Sequence, residues 1–248
     1  MKPGKWNAFE LKLFMALLMV LDHLDHIPGL LPPELSALFH AVTRCVGVWF
    51  AYLAVEGFLH TRSRLRYNLR LFGWAAVMAL GNQLYNLLAA GKGLTLSNNI
   101  FFTLALGVLM LNLLAGAQPD APLWQRALRI VGGCAVLFAG LICSEGGPVI
   151  LPFILITYYF RGRPLVRNIL YLGFSLLLFF SAFHLYPTLR ETLLMLGFNS
   201  DFLFISVLPF IALYNGQRGP NTPFAKYFFY VFYPLHLWII GIIALIAA

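Results

Sequence analysis

Asp22 and His23 stand in the run "LDHLDH", Arg44 opens "TRCVGVWFAYLAVEGFLHTRS", and His236 lies in "VFYPLHLWII". All sit in or beside long apolar stretches, where an ionisable group is costly and marks a candidate site. A neutral imidazole both takes and gives a proton at cellular pH, and a guanidinium stabilises developing negative charge. Together they suit proton transfer inside an apolar interior. Pro234 withholds a backbone donor two residues before His236 and loosens the helical ladder there. The competing structural reading of His236 is a hydrogen bond that joins two helices. For Arg44 it is an ion pair with Asp22.

Other polar groups carry weaker signals. Asp22 and His26 are one helical turn apart, a spacing that suits an ion pair or a metal. No third ligand follows at a matching spacing, so no metal is expected. Asp25 and His26 also read as a solvated helix end. Glu56 lies three turns beyond Arg44, and Gly57 beside it admits a close neighbour. In "SNNIFFTLALG" Ser97 or Asn98 suits a helix cap, while Asn99 and Thr103 are one turn apart. Glu145 falls in the turn "CSEGGP". The cysteines, Cys45, Cys134 and Cys143, have no metal-ligand spacing and read as packing residues.

The elements that must hold these groups are membrane helices. Of 248 residues 60% are hydrophobic and 10% charged, with mean hydropathy +0.81. That composition points to an integral membrane protein of all-α class, a single polytopic bundle over residues 1–248. Apolar runs of roughly 18–22 residues begin near Phe9, Ala37, Asn68, Asn98, Trp124, Val149, Arg167, Thr192 and Lys226. They predict about nine spans, with the Val149 run short and the Thr192 run interrupted. The amino-terminal stretch lacks a small-residue cleavage site and reads as the first helix.

Alternate loops hold 14 of the 17 basic residues, from Lys2, Lys5 and Lys12 to Arg218 and Lys226. Only Arg44, Lys92 and Arg190 fall elsewhere. The positive-inside rule then predicts a cytoplasmic amino terminus. The formal net charge of +8 is thus a topology signal, and no nucleic-acid partner is expected.

Five blocks together resemble the TraX family of polytopic membrane proteins. They are "LKLFMALLMVLDH", "VEGFLHTRSRLRYNLRL" after Arg44, "NNIFFTLALG", "LYNGQRG" and "KYFFYVFYPLHL". They run the length of the chain, the last two being the most specific. The chain departs from the family pattern in "CVGVWFAYLAV", where a proline-phenylalanine pair is expected, and at Glu145, where an aspartate is expected. The resemblance implies transfer of an acetyl group from acetyl-CoA in a bacterial inner membrane. The acceptor would be a peptide amine of pilin type, or an envelope hydroxyl, with N-acetylation favoured.

On that reading His236 is the general base, with His23 and Asp22 as a second basic pair. Arg44 or Asn99 stabilises the oxyanion, and Glu56 joins the catalytic set. The coenzyme phosphates call for guanidinium groups on the inner face. Arg62, Arg66, Arg70 and Tyr67 are the candidates there, with Arg218, Lys226 and Asn215. The same arginine run also serves orientation or contact with anionic lipid. Two other functions share these residues: an ion-coupled transporter, and a non-catalytic assembly protein of the envelope.

Overall fold

The computed structural model describes residues 4–117 and 119–247; Lys2, counted above among the basic residues, lies outside them. The described residues are helical apart from loops, with one isolated bridge between Trp6 and Tyr214 and no strand. In chain order the helices are α1 (Ala8–His23), α2 (Pro33–Thr43), α3 (Cys45–His60), α4 (Arg64–Leu88), α5 (Ile100–Ala115) and α6 (Leu123–Cys143). There follow α7 (Gly147–Tyr159), α8 (Pro164–Ala182), α9 (Leu189–Phe198), α10 (Leu208–Leu213) and α11 (Pro223–Ala247). Short 3₁₀ segments cover Leu24–His26 and Ser200–Val207.

The helices are not nine equivalent spans. Among the described residues four stretches are long and apolar enough to cross a bilayer: Pro33–His60, α6, α8 and α11. A fifth is reached if Leu189–Phe198 and Ser200–Leu213, bent by 54°, form one broken span. Helices α1 and α5 have 16 residues and α7 only 13, short of the ~20 that a span needs. Helix α4 has the length, but Asn82, Gln83 and Asn86 dilute its second half. By composition and these helices the chain is a helical membrane protein.

Two compact units divide the chain. The second comprises residues 50–80 and 97–167. In it α5 and α7 are buried helices, apolar all round. Helix α6 packs on them through Gly133 and Gly140, where added Cβ atoms would strike Leu114 and Leu151. Small residues let helices approach closely. The rest of α6 faces outward, with Phe138 and Ile142 63% and 83% exposed. Cys134 and Cys143 lie on that exposed face, so the packing reading fails for them; Cys45 is buried.

The first unit comprises residues 1–49, 81–96 and 168–248. Its axis is a parallel pair, α1 beside α11. Phe9 meets Phe224 and Phe229 at one end, and Ile27 packs on Ile240 and Ala244 at the other. Asn7 and Glu10 form a capping box that starts α1. The segment "LYNGQRG" completes that end. Trp6 N–H donates to Leu213 O, Asn215 N–H to Trp6 O, and Ala8 N–H to Gln217 O.

Gly219 has φ +89°, and a Cβ there would lie 2.5 Å from Asn7 Oδ1. Gly219→Ala therefore adds strain and unseats the α1 cap. It is expected to cost about 1–3 kcal/mol, read as a lower thermal unfolding midpoint in detergent.

Two asparagines of α4 in this unit are bonded. Asn86 clamps both backbone groups of Leu96, and Asn82 accepts from Trp238 Nε1. Lys92 donates to Leu245 O near the end of α11, where a cation complements the helix dipole.

Candidate functional site

His236 is buried, 13 residues into α11, about 20 Å along the helix from its first residue at 1.5 Å per residue. Its ring stacks on Phe232 at 5.2 Å and faces α1, not lipid. Nδ1 lies 3.1 Å from Phe232 O. A carbonyl only accepts, so Nδ1 carries the proton in the neutral ring and Nε2 keeps its lone pair. That lone pair lies 3.2 Å from Nδ1 of His23.

His23 ends α1 and is also buried. Its Nδ1 lies 2.7 Å from Met19 O, so Nδ1 is again the protonated nitrogen. One N–H is thus shared between the Met19 carbonyl and the basic nitrogen of His236. His26 closes the group, its ring edge-on to His23 at 5.4 Å. Burial, then the charge of His23, holds His26 below the ordinary imidazole range.

The sequence reads His23 as oriented or charged by Asp22; among the described residues no hydrogen bond joins the two, so Asp22 does not orient the ring, but a charge interaction couples them. Asp22 turns instead toward α2, accepting from Thr43 Oγ1 and lying 3.3 Å from His40 Nδ1 and 3.7 Å from Arg44.

Arg44 stands between α2 and α3, separating them by a single residue. Its Nε donates to His40 O, one Nη to His40 Nδ1 at 2.7 Å, and the other approaches Asp201 at 3.4 Å. A guanidinium only donates, so His40 accepts at Nδ1 and donates from Nε2 to Asp25 Oδ2 at 2.8 Å. Burial raises the Asp25 carboxyl, but the His40 hydrogen bond together with the charges of His40 and His26 brings the group below its usual range. Asp25 Oδ1, His26 Nδ1 and Ser200 Oγ are buried without a partner. Native interiors leave few such atoms, and Asp25 and His26 stand within three residues of His23.

Sequence reasoning gave His40 no role and Asp25 little. The signal was available: His40, Thr43 and Arg44 fall at i, i+3 and i+4, one face of a helix. That face points at the acidic end of α1.

Asn99 and Glu56 lie in the other unit, and their side chains are bound there. Asn99 caps α5, its Oδ1 accepting from Phe102 N–H and its Nδ2 donating to Ala75 O. Glu145 accepts from the Asn99 backbone and from Asn98 Nδ2, while Thr103 Oγ1 donates to its carbonyl. These bonds anchor the start of α5. Glu145→Ala is expected to lower the unfolding free energy by about 1–3 kcal/mol, with activity per folded molecule retained. Glu56 forms a two-pronged pair with Arg161 at 2.8 and 3.1 Å. The neighbour that Gly57 admits is Tyr67, whose hydroxyl a Cβ would meet at 2.8 Å.

Of the phosphate candidates, Arg62, Arg66 and Arg70 are exposed on and before α4, with Arg70 over the Tyr67 ring at 5.4 Å. Arg218 and Lys226 are exposed at the start of α11, in the unit that holds His236. Asn215 makes an Asx turn, accepting from Gln217 N–H. Among the described residues no group of three His, Cys, Asp or Glu could hold a metal ion.

The two blocks most specific in the sequence therefore have separate tasks. "LYNGQRG" caps α1, and "KYFFYVFYPLHL" brings His236 to the end of that same helix. The family model described as TraX protein matches residues 9–244, which include both blocks. This chain belongs to the TraX family. It is similar to the "Probable fimbrial assembly protein FimC, serogroup H1" of Dichelobacter nodosus. The two are 28% identical over 251 residues, covering 94% of this chain and 93% of the relative. No solved structure matches. For a TraX-family chain the match extends over the imidazole pair, Arg44 and the capping segment alike.

Proposed function

We propose that this TraX-family chain is a multi-pass enzyme of the bacterial cytoplasmic membrane, with its amino terminus inside. It moves an acetyl group from acetyl-CoA to an amine, in preference to a hydroxyl. The observation that carries the reading is the buried imidazole pair of His23 and His236, each fixed in one tautomer by a backbone carbonyl. An oriented imidazole with a free lone pair in an apolar interior is the usual device for activating a weak nucleophile.

In this scheme the acceptor amine attacks the thioester carbonyl carbon while His236 Nε2 removes its proton. His23 moves its shared N–H wholly to Met19 O as this happens. The Arg44 guanidinium stabilises the oxyanion, a role worth most where water is excluded. The carbon–sulfur bond then breaks, and the leaving thiolate takes the proton back from His236 as CoA–SH. Asn99 is assigned no share, because its amide serves the α5 cap.

The coenzyme phosphates are assigned to Arg218 and Lys226, with Asn215 shaping their loop. Removing both side chains is expected to raise KM for acetyl-CoA about tenfold or more with kcat nearly unchanged, measured by CoA release. The same measurement on Arg62, Arg66 and Arg70 separates phosphate binding from contact with anionic lipid. A KM unmoved by their removal leaves them, and Tyr67, to lipid and topology.

The relative's name, a probable fimbrial assembly protein, favours a protein acceptor of pilin type over a glycan. It also supports a second reading, a non-catalytic assembly role. Purified protein given labelled acetyl-CoA and amino-terminal peptides decides between them. Label on the peptide amine with equimolar CoA release supports the enzyme; binding of the peptide without release supports assembly alone. Solute flux into proteoliposomes without release would mean a transporter.

A further inference from the structure

A groove of about 390 Å³ opens in the first unit, between the end of α8 and the turn after α9. Its polar lining is Ser181, His184, Asn199 and Asp201, over an apolar floor that includes Leu178 and Ala182. Its volume is in the range of small-ligand sites.

The hydrogen bonds already made decide what the groove offers. Ser181 Oγ donates its hydrogen to Leu178 O, leaving oxygen lone pairs. Asn199 Nδ2 donates to Met195 O, leaving Oδ1. Asp201 meets Arg44 only through Oδ1, at 3.4 Å, and its side chain is 58% exposed. Three oxygen acceptors, one of them charged, thus line the groove. Arg44 lies behind the carboxylate, on the side of the imidazole site.

We propose that this groove binds the primary ammonium of a peptide amino terminus, with Asp201, Asn199 and Ser181 accepting its three N–H bonds. An ammonium has three donors and no acceptor, the complement of that lining. The apolar floor takes the first side chain. The inference rests on the amine-acceptor reading above and names where the acceptor docks before it loses its proton. The contact from Asp201 to Arg44 then links the docking groove to the residues around His23.

Binding is measured without acetyl-CoA, so its outcome is independent of catalysis. The probe is tri-alanine amide, titrated into the purified full chain in detergent, with N-acetyl tri-alanine amide and phosphoethanolamine as comparisons. Saturable binding of the free amine alone is expected. It should weaken about tenfold or more in Asp201→Asn, the loss of one charge-assisted hydrogen bond, and return in Asp201→Glu. Equal binding of the acetylated peptide, or unchanged affinity in Asp201→Asn, overturns the proposal. Preferred binding of phosphoethanolamine overturns the peptide assignment. An unchanged thermal midpoint in Asp201→Asn shows that any loss is local, and a collapsed midpoint moves the test to Asn199→Ala and Ser181→Ala. Tight amine binding with no acetyl transfer would retain the groove and remove the enzyme.

Discussion

His236→Ala is expected to lower acetyl transfer by about 10²- to 10⁴-fold, the usual contribution of a positioned general base. Acetyl-CoA binding should persist, because the phosphate candidates Arg218 and Lys226 lie before α11 and in its first turn, away from His236. The measurement is CoA release under saturating donor. His236→Asn is the sharper variant: it keeps a donor for Phe232 O and fills much of the volume, yet has no basic nitrogen. It should be as inactive as alanine. His23→Ala should also fall, and the double variant should fall little further, since residues that act as a unit are strongly non-additive. Full additivity would mean that the 3.2 Å contact has no part in the reaction.

Arg44→Ala is the second large effect, and it strikes stability as well as rate. The side chain is 24% exposed and stands among Asp22, His40 and Asp201. Removing it leaves Asp22 next to Asp25 and His40 without an accepting role for its Nδ1. Breaking a largely buried ionic cluster by deleting one partner costs about 3–5 kcal/mol, read as a lower unfolding midpoint in detergent. Arg44→Lys restores the charge but not the fork, because the bonds to His40 O and His40 Nδ1 come from different nitrogens of one plane. It should recover only part of the loss. A midpoint unchanged in Arg44→Ala would mean that solvent screens the cluster.

The sequence showed which helices carry chemistry better than it showed how those helices are covered. His236, His23, Asp22 and Arg44 stood out because charge in an apolar run is costly wherever the run ends up. The nine apolar runs outnumber the helices long and apolar enough to cross a bilayer among the described residues, and the two differ at α1, α5 and α7. An apolar run reads the same whether lipid or neighbouring helices surround it, and α5 and α7 are apolar on every face. The run that begins near Asn68 reads as a span although its second half is polar. Asn82 and Asn86 are satisfied by Trp238 and Leu96, partners that lie far off or in a loop. His40 was passed over because the second helix was started at Ala37, which left it without a phased face. With the helix begun at Pro33, His40 and Arg44 share one side and meet Asp22 and Asp25.

The two imidazoles are 213 positions apart in the chain, yet α1 and α11 lie side by side along their lengths. Among the described helices α11 is made last, so His23 gains its neighbour only late in synthesis. Until then the acidic tip of α1 can lean only on α2, through Thr43, His40 and Arg44. That early pairing would hold the first helix in register while it waits for its late partner.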